Sequence, residues 1–209
     1  MKQSIIKFLI LSACILAASC HAPKKCITAG NTQSFTFLPV IALDSNAPAL
    51  YSADFDVMKY HFSGLIAFRK MTANKETRIV FLTETGIRLM EFRYANHKIE
   101  NTYCMDAMKK KSTIKFIGRF IRMLLTEPDC RSICAYEEND RNNIFCNTGN
   151  GYYTCKINNG VKEQTLFYNG KNKQIDAKYS DSQTLPDEIR LILPMHTNIQ
   201  MKRAINAFK

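Results

Sequence analysis

From Tyr60 onward, short apolar segments alternate with polar residues, and turn-forming residues recur about every 8–12 positions. This pattern is typical of an antiparallel sheet built from consecutive hairpins. The first four predicted strands are Tyr60–Lys70, Thr77–Thr83, Ile87–Tyr94 and Lys98–Met105. The second of them is almost entirely β-branched or aromatic, which indicates burial on both faces.

A second group of strands is predicted in the C-terminal half. These strands are Arg131–Tyr136, Asn143–Asn147, Tyr152–Ile157, Val161–Tyr168, Gln174–Tyr179, Glu188–Leu193 and Asn198–Arg203. Asn158-Asn159-Gly160 is a strong hairpin signal between two of them. Before the first group, Phe35–Leu43 is predicted as an edge strand or a packed extended segment, and Asp44–Ala53 as a loop.

One helix is predicted between the two groups. Apolar residues recur there at helical spacing: Ile114, Phe116, Ile117, Phe120, Ile121, Met123 and Leu124. Basic residues lie off the centre of this stripe or just before it: Lys109, Lys110, Lys111, Lys115, Arg119 and Arg122. Two interpretations of this helix remain open. In the first it covers the core and its basic face is solvated. In the second its basic face touches an anionic membrane, or the helix gates a lipid cavity.

The N-terminal residues 1–19 have the pattern of a secretory leader. Lys2 supplies a basic start, Ile5–Leu16 is mostly apolar, and small residues precede Cys20. The apolar stretch is too short to span a bilayer as a mature helix. The leader resembles a bacterial lipobox, which implies that residue 20 becomes the first mature residue and carries acyl chains. Acylation at Cys14, or an ordinary signal peptide without lipid, are the alternatives.

Several acyl chains would anchor the mature protein durably to a membrane. The residues after Cys20 lack the Asp that retains some lipoproteins at the inner membrane, and they lack the acidic cluster of surface export. By that resemblance we expect an outer-membrane lipoprotein that faces the periplasm. Residues 20–34 are polar and are predicted as a flexible tether, and residues 35–209 as a single domain.

The net charge indicates the class of partner, and the number of cysteines indicates disulfides. The chain has a formal net charge of +11, which favours anionic partners such as lipid headgroups, while export argues against nucleic acid. Apart from Cys14 and Cys20, an even number of cysteines remains, which suggests disulfides in an exported chain. The disulfide candidates are Cys130, Cys134, Cys146 and Cys155, with at least one bridge expected among them.

The sequence contains no recognisable catalytic motif. There is no nucleophile elbow, no zinc-protease helix, no phosphate-binding loop and no dinucleotide fingerprint. There is no C-x₂-C pair, and His61, His97 and His196 are scattered rather than spaced as metal ligands. We therefore expect a protein that is not an enzyme and that has no metal or cofactor.

Three segments resemble the LolA/LolB-like superfamily, and within it the small outer-membrane lipoproteins of unknown function. They are FSGLIAFRK (Phe62–Lys70), TRIVFLTETGIRLMEFRY (Thr77–Tyr94) and LPDEIRLIL (Leu185–Leu193). The resemblance implies a mainly β fold (α+β). In that fold a strongly curved antiparallel sheet forms an unclosed barrel, covered by at least one amphipathic helix, and its concave side shelters acyl chains.

The implied function is to bind a lipid or acyl chain, in envelope lipid or lipoprotein transport or maintenance. The expected ligand-lining residues of the strands are Phe62, Ile66, Phe68, Ile79, Phe81, Met90 and Phe92. The expected lid residues of the helix are Ile117, Phe120, Ile121 and Leu124. The same side chains would also serve as an ordinary filled core. The alternative function is a non-enzymatic envelope scaffold that binds a protein partner through its edge strands.

Overall fold

The structure is a computed structural model that describes residues 27–28, 37–43, 47–57, 60–71, 73, 75–138, 141–180, 184–193 and 197–204. The predicted leader, Cys20 and the predicted tether other than Ile27–Thr28 lie outside these ranges.

Within the described ranges, thirteen strands form one antiparallel sheet. The strands are β1 (Ile27–Thr28), β2 (Ala49–Val57), β3 (Tyr60–Met71), β4 (Glu76–Leu82), β5 (Arg88–Ala95), β6 (Lys98–Cys104), β7 (Ser132–Glu138), β8 (Arg141–Asn147), β9 (Tyr152–Asn158), β10 (Val161–Asn169), β11 (Asn172–Lys178), β12 (Glu188–Leu193) and β13 (Thr197–Arg203). A short 3₁₀ helix (Asp106–Met108) and the helix α1 (Lys111–Leu125) connect β6 to β7. The predicted mainly β fold with one helix is confirmed.

The strands are hydrogen-bonded in the order β1-β7-β8-β9-β10-β11-β12-β13-β2-β3-β4-β5-β6. No pairing within the described ranges joins β1 to β6, so the sheet is not closed there. The sheet is nevertheless curled, because β5 and β6 line the same pocket as β9 and β10. Six strands lie between β10 and β5, and a flat sheet would hold those two strands about 34 Å apart.

Tight turns fix the hairpins. Asn96 and His97 between β5 and β6 both have positive φ, at 48° and 60°. Asn159 and Gly160 between β9 and β10 have φ of 49° and 79°. Two successive residues with positive φ form the type I′ turn, whose twist matches that of the flanking strands. The hairpin predicted from Asn158-Asn159-Gly160 is therefore confirmed.

The prediction was wrong at Asp44–Ala53, where a loop was expected and β2 begins at Ala49. In β2, Tyr51, Ala53 and Phe55 are buried and alternate with exposed polar residues. That alternation is a strand signal, but it crosses the boundary that was expected for the loop. β2 pairs with β13 on one side and with β3 on the other. β3 follows β2 directly along the chain, but β13 is distant in the sequence.

The segment 37–43 contains no strand and is the packed extended segment of the two predicted alternatives. Val40 and Ile41 are buried, and the backbone N–H of Ile41 donates to the carbonyl oxygen of Leu124 at 3.0 Å. The hydroxyl of Tyr179 donates to the carbonyl oxygen of Val40 at 2.8 Å. The segment thus links the end of α1 to Tyr179, which directly follows β11.

One continuous core lies between the buried face of the sheet and the helix. Its strand residues include Phe55, Phe68 and Phe92, and α1 contributes Phe120. The Phe120 ring lies 6.2 Å from the Phe55 ring in an edge-to-face arrangement, which is favourable for aromatic pairs.

Candidate functional site

A pocket of about 710 Å³ lies beside α1 and is open to solvent. This volume is within the usual range of small-molecule sites. The lining residues come from β5, β6, α1, the segment after α1, the turn between β8 and β9, β9 and β10: Phe92, Ile99, Asn101, Ile114, Lys115, Gly118, Arg119, Arg122, Met123, Thr126, Glu127, Pro128, Asp129, Thr148, Tyr153 and Phe167.

Apolar side chains from two separate groups of strands in the curled sheet line the pocket. Phe92 and Ile99 come from β5 and β6, and Tyr153 and Phe167 come from β9 and β10. The rings of Tyr153 and Phe167 are 4.5 Å apart. Burial raises the pKa of Tyr153 to about 12, so this phenol stays neutral at ordinary pH. The surface is suited to an apolar ligand or an apolar part of one.

Cations of α1 form the second part of the lining. Lys115, Arg119 and Arg122 are spaced by four and three residues, which places them on one face of the helix. All three side chains are exposed. None of them forms an ion pair with another described residue. Their charge is therefore available to an anionic ligand.

Acidic residues form the third part, immediately after the helix. The Thr126 C-cap has φ of −84° and ψ of 132°, so the chain leaves the helical path and carries Glu127 and Asp129 away from the helix face. The hydroxyls of Thr126 and Tyr94 are 3.0 Å apart, which ties this segment to β5. Because the C-terminus of a helix already carries partial negative charge, two acids here strengthen a negative region.

Gly118 leaves room at the centre of the helix wall. A Cβ atom at this position would lie 3.5 Å from Cγ2 of Ile99, which is an ordinary van der Waals distance. A larger side chain would extend into the space that now separates α1 from β6. Glycine inside a helix costs about 1 kcal/mol relative to alanine, so helix propensity does not explain this residue.

The structure places the predicted ligand-lining residues mainly in the packed core. The core cluster includes ten of the eleven: Ile66, Phe68, Ile79, Phe81, Met90, Phe92, Ile117, Phe120, Ile121 and Leu124. Phe62 is half-buried and packs against that cluster. Of the eleven, Phe92 alone also lines the large pocket. A cavity of about 10 Å³ next to Phe62 and Phe81 is no larger than one water molecule needs.

Sequence reasoning did not find several residues of the pocket. Tyr153 and Phe167 were predicted only as parts of strands, and no role in a site was predicted for Glu127 or Asp129. The i, i+4, i+7 spacing of Lys115, Arg119 and Arg122 is visible in the sequence. The curl that brings β9 and β10 opposite these cations depends on the whole sheet, so no local sequence pattern indicates it.

A disulfide joins Cys130 to Cys146, with their Cα atoms 5.3 Å apart. Cys134 is also disulfide-bonded. Cys155 was among the candidates but is a free, buried thiol, and Cys104 is a free, half-buried one. Cys155 lies in the interior of β9, where its sulfur accepts a long 4.0 Å hydrogen bond from the Thr165 hydroxyl. The Cys130–Cys146 bridge fixes the chain directly after Asp129 to β8.

The described ranges show neither a candidate metal site nor a candidate membrane-spanning helix. These ranges contain no group of three or more His, Cys, Asp or Glu residues that could hold a metal ion. They also contain no helix with the length and apolar character needed to cross a membrane.

No protein-family model matches this sequence, and no curated protein matches it. The resemblance to the LolA/LolB-like superfamily therefore stays a prediction.

Proposed function

We propose that this chain is an outer-membrane-anchored lipoprotein that binds one lipid or acyl chain in the pocket beside α1, in envelope lipid or lipoprotein transport or maintenance. The observation that carries the proposal is the composition of the pocket. Phe92, Ile99, Tyr153 and Phe167 offer apolar surface, and the cations of α1 lie on the same pocket. A ligand with an apolar chain and a charged head matches both.

The apolar part of the pocket supplies the driving force. Removing apolar surface from water stabilises a complex by about 25 cal/mol per Å², or roughly 0.8 kcal/mol for each buried CH₂ group. The pocket is open, so part of a long chain would stay in contact with water or membrane. This geometry suits a carrier that takes up and releases its ligand better than a site that encloses it.

The location follows from the predicted acylation of Cys20. An acylated N-terminus would keep the domain near a bilayer, where lipids are abundant. Lys115, Arg119 and Arg122 form no ion pair among the described residues. These cations would then also favour approach to an anionic membrane surface. Uptake from the membrane would need no enzyme activity, which agrees with the absence of catalytic motifs from the sequence.

Filling the pocket at Gly118 tests the proposal. We expect Gly118→Leu to weaken the binding of cis-parinaric acid, a fluorescent fatty acid, by roughly tenfold or more, because its side chain occupies space beside Ile99. Fluorescence titration of the full chain carrying Cys20→Ser gives the dissociation constants.

Gly118→Ala is the matched control, since its Cβ makes only an ordinary contact with Ile99. We expect its affinity to stay within about twofold of the parent, and its helix to gain up to about 1 kcal/mol. Urea unfolding of both variants verifies that they are folded. Equal affinities for the leucine variant and the parent would place the fatty acid elsewhere and contradict the proposed site.

A further inference from the structure

The pocket beside α1 carries charges of both signs that do not neutralise each other. Lys115, Arg119 and Arg122 belong to the helix, and Glu127 and Asp129 follow it. None of these five side chains forms an ion pair within the described part of the chain. One pocket therefore has a positive region and a negative region, and both are open to a ligand.

The backbone explains why the two regions stay separate. The cations are spaced along a helix that ends at Leu125. The extended conformation of Thr126 then redirects the chain, and the Cys130–Cys146 bridge holds the residues after Asp129 against β8. The acids are thus held by the sheet, whereas the cations are held by the helix.

We propose that the ligand of this pocket is a phospholipid whose head carries both a phosphate and an ammonium group. The inference rests on the proposed function, because it assigns the head of the lipid that the apolar surface would bind. Arg119 and Arg122 bind the phosphate, since guanidinium groups form paired, charge-assisted hydrogen bonds with phosphate oxygens. Glu127 and Asp129 accept hydrogen bonds from the ammonium group.

Other lipid heads match only half of this arrangement. A fatty acid or a phosphatidylglycerol supplies negative charge for the cations but leaves Glu127 and Asp129 without a cation. A phosphatidylcholine has a positive charge but no N–H group, so it cannot donate hydrogen bonds to these carboxylates. A phosphatidylethanolamine satisfies both regions, and its primary ammonium has three donors.

Competition between matched lipids tests the assignment. The full chain carrying Cys20→Ser is loaded with cis-parinaric acid, and dihexanoyl phosphatidylethanolamine or dihexanoyl phosphatidylglycerol is added, so that only the head differs. We expect the ethanolamine lipid to displace the probe at a concentration roughly tenfold lower. In Glu127→Gln/Asp129→Asn this preference should disappear, while displacement by the glycerol lipid is retained or improved.

A control variant separates a local effect from a change in net charge. Asp54→Asn/Glu84→Gln removes the same charge at exposed residues that do not line the pocket, and it should keep the preference. Equal displacement by both lipids, or a preference for the glycerol lipid, overturns the head assignment and leaves lipid binding standing. If neither lipid displaces the bound probe, the head assignment fails and binding of an acyl chain stands. If the chain does not bind the probe at all, the proposed function fails, and the head assignment fails with it.

Discussion

Replacing Phe120 by alanine is expected to lower the free energy of unfolding by about 3–5 kcal/mol. Phe120 is fully buried at the interface between α1 and the sheet, and its ring contacts the Phe55 ring edge to face at 6.2 Å. The substitution removes this apolar surface and leaves a cavity between two elements that the rest of the structure holds in place. Urea unfolding followed by circular dichroism measures the loss.

The same helix provides the control for this substitution. Phe116 is half-buried, so Phe116→Ala should cost clearly less, about 1–2 kcal/mol. Equal losses at the two positions would mean that α1 is not packed as the structure has it. The loss at Phe120 should also appear as a lower midpoint with an unchanged urea slope, because the folded state stays compact.

Removing the disulfide has the second large expected effect. The double substitution Cys130→Ser/Cys146→Ser should lower the free energy of unfolding by about 3 kcal/mol, because a closed loop of this size restricts the unfolded chain. The two cysteines are 16 residues apart in sequence. Thermal and urea unfolding under non-reducing conditions measure the difference from the parent.

Cys104→Ser controls for the loss of a thiol, because Cys104 is free. We expect it to change stability by less than about 1 kcal/mol. Reducing agent is not a substitute for the double variant, since Cys134 is also disulfide-bonded and would be reduced as well. A non-reducing peptide map that failed to link Cys130 to Cys146 would contradict the structure directly.

Much of the fold could be predicted because hairpins are encoded locally. Asn158-Asn159-Gly160 specifies its turn through residues that tolerate positive φ, and the helix follows from the spacing of its apolar residues. The strand β2 was missed because its partners, β13 and β3, define it more than its own composition does. Its residues Asp54 and Asp56 lower the apparent strand propensity, although they lie on the exposed face.

The site was less predictable than the fold. The sequence indicated a basic helix face, and two roles for it remained open. It also indicated which residues are apolar, but a core and a cavity need the same apolar strands. Phe68 and Ile79 are therefore in the packed core, whereas Tyr153 and Ile99 line the pocket. The curl of the whole sheet decides which apolar side chains enter the core and which line the pocket. That curl depends on pairings between distant strands.

Native mass spectrometry of the full chain carrying Cys20→Ser, expressed with its own leader and purified without detergent, tests whether this protein binds lipid. We expect a species one phospholipid heavier than the polypeptide. The extra mass should be lost on collisional activation and be much reduced in Gly118→Leu. A bare polypeptide mass that stays unchanged after incubation with phosphatidylethanolamine would contradict the claim that this protein binds lipid.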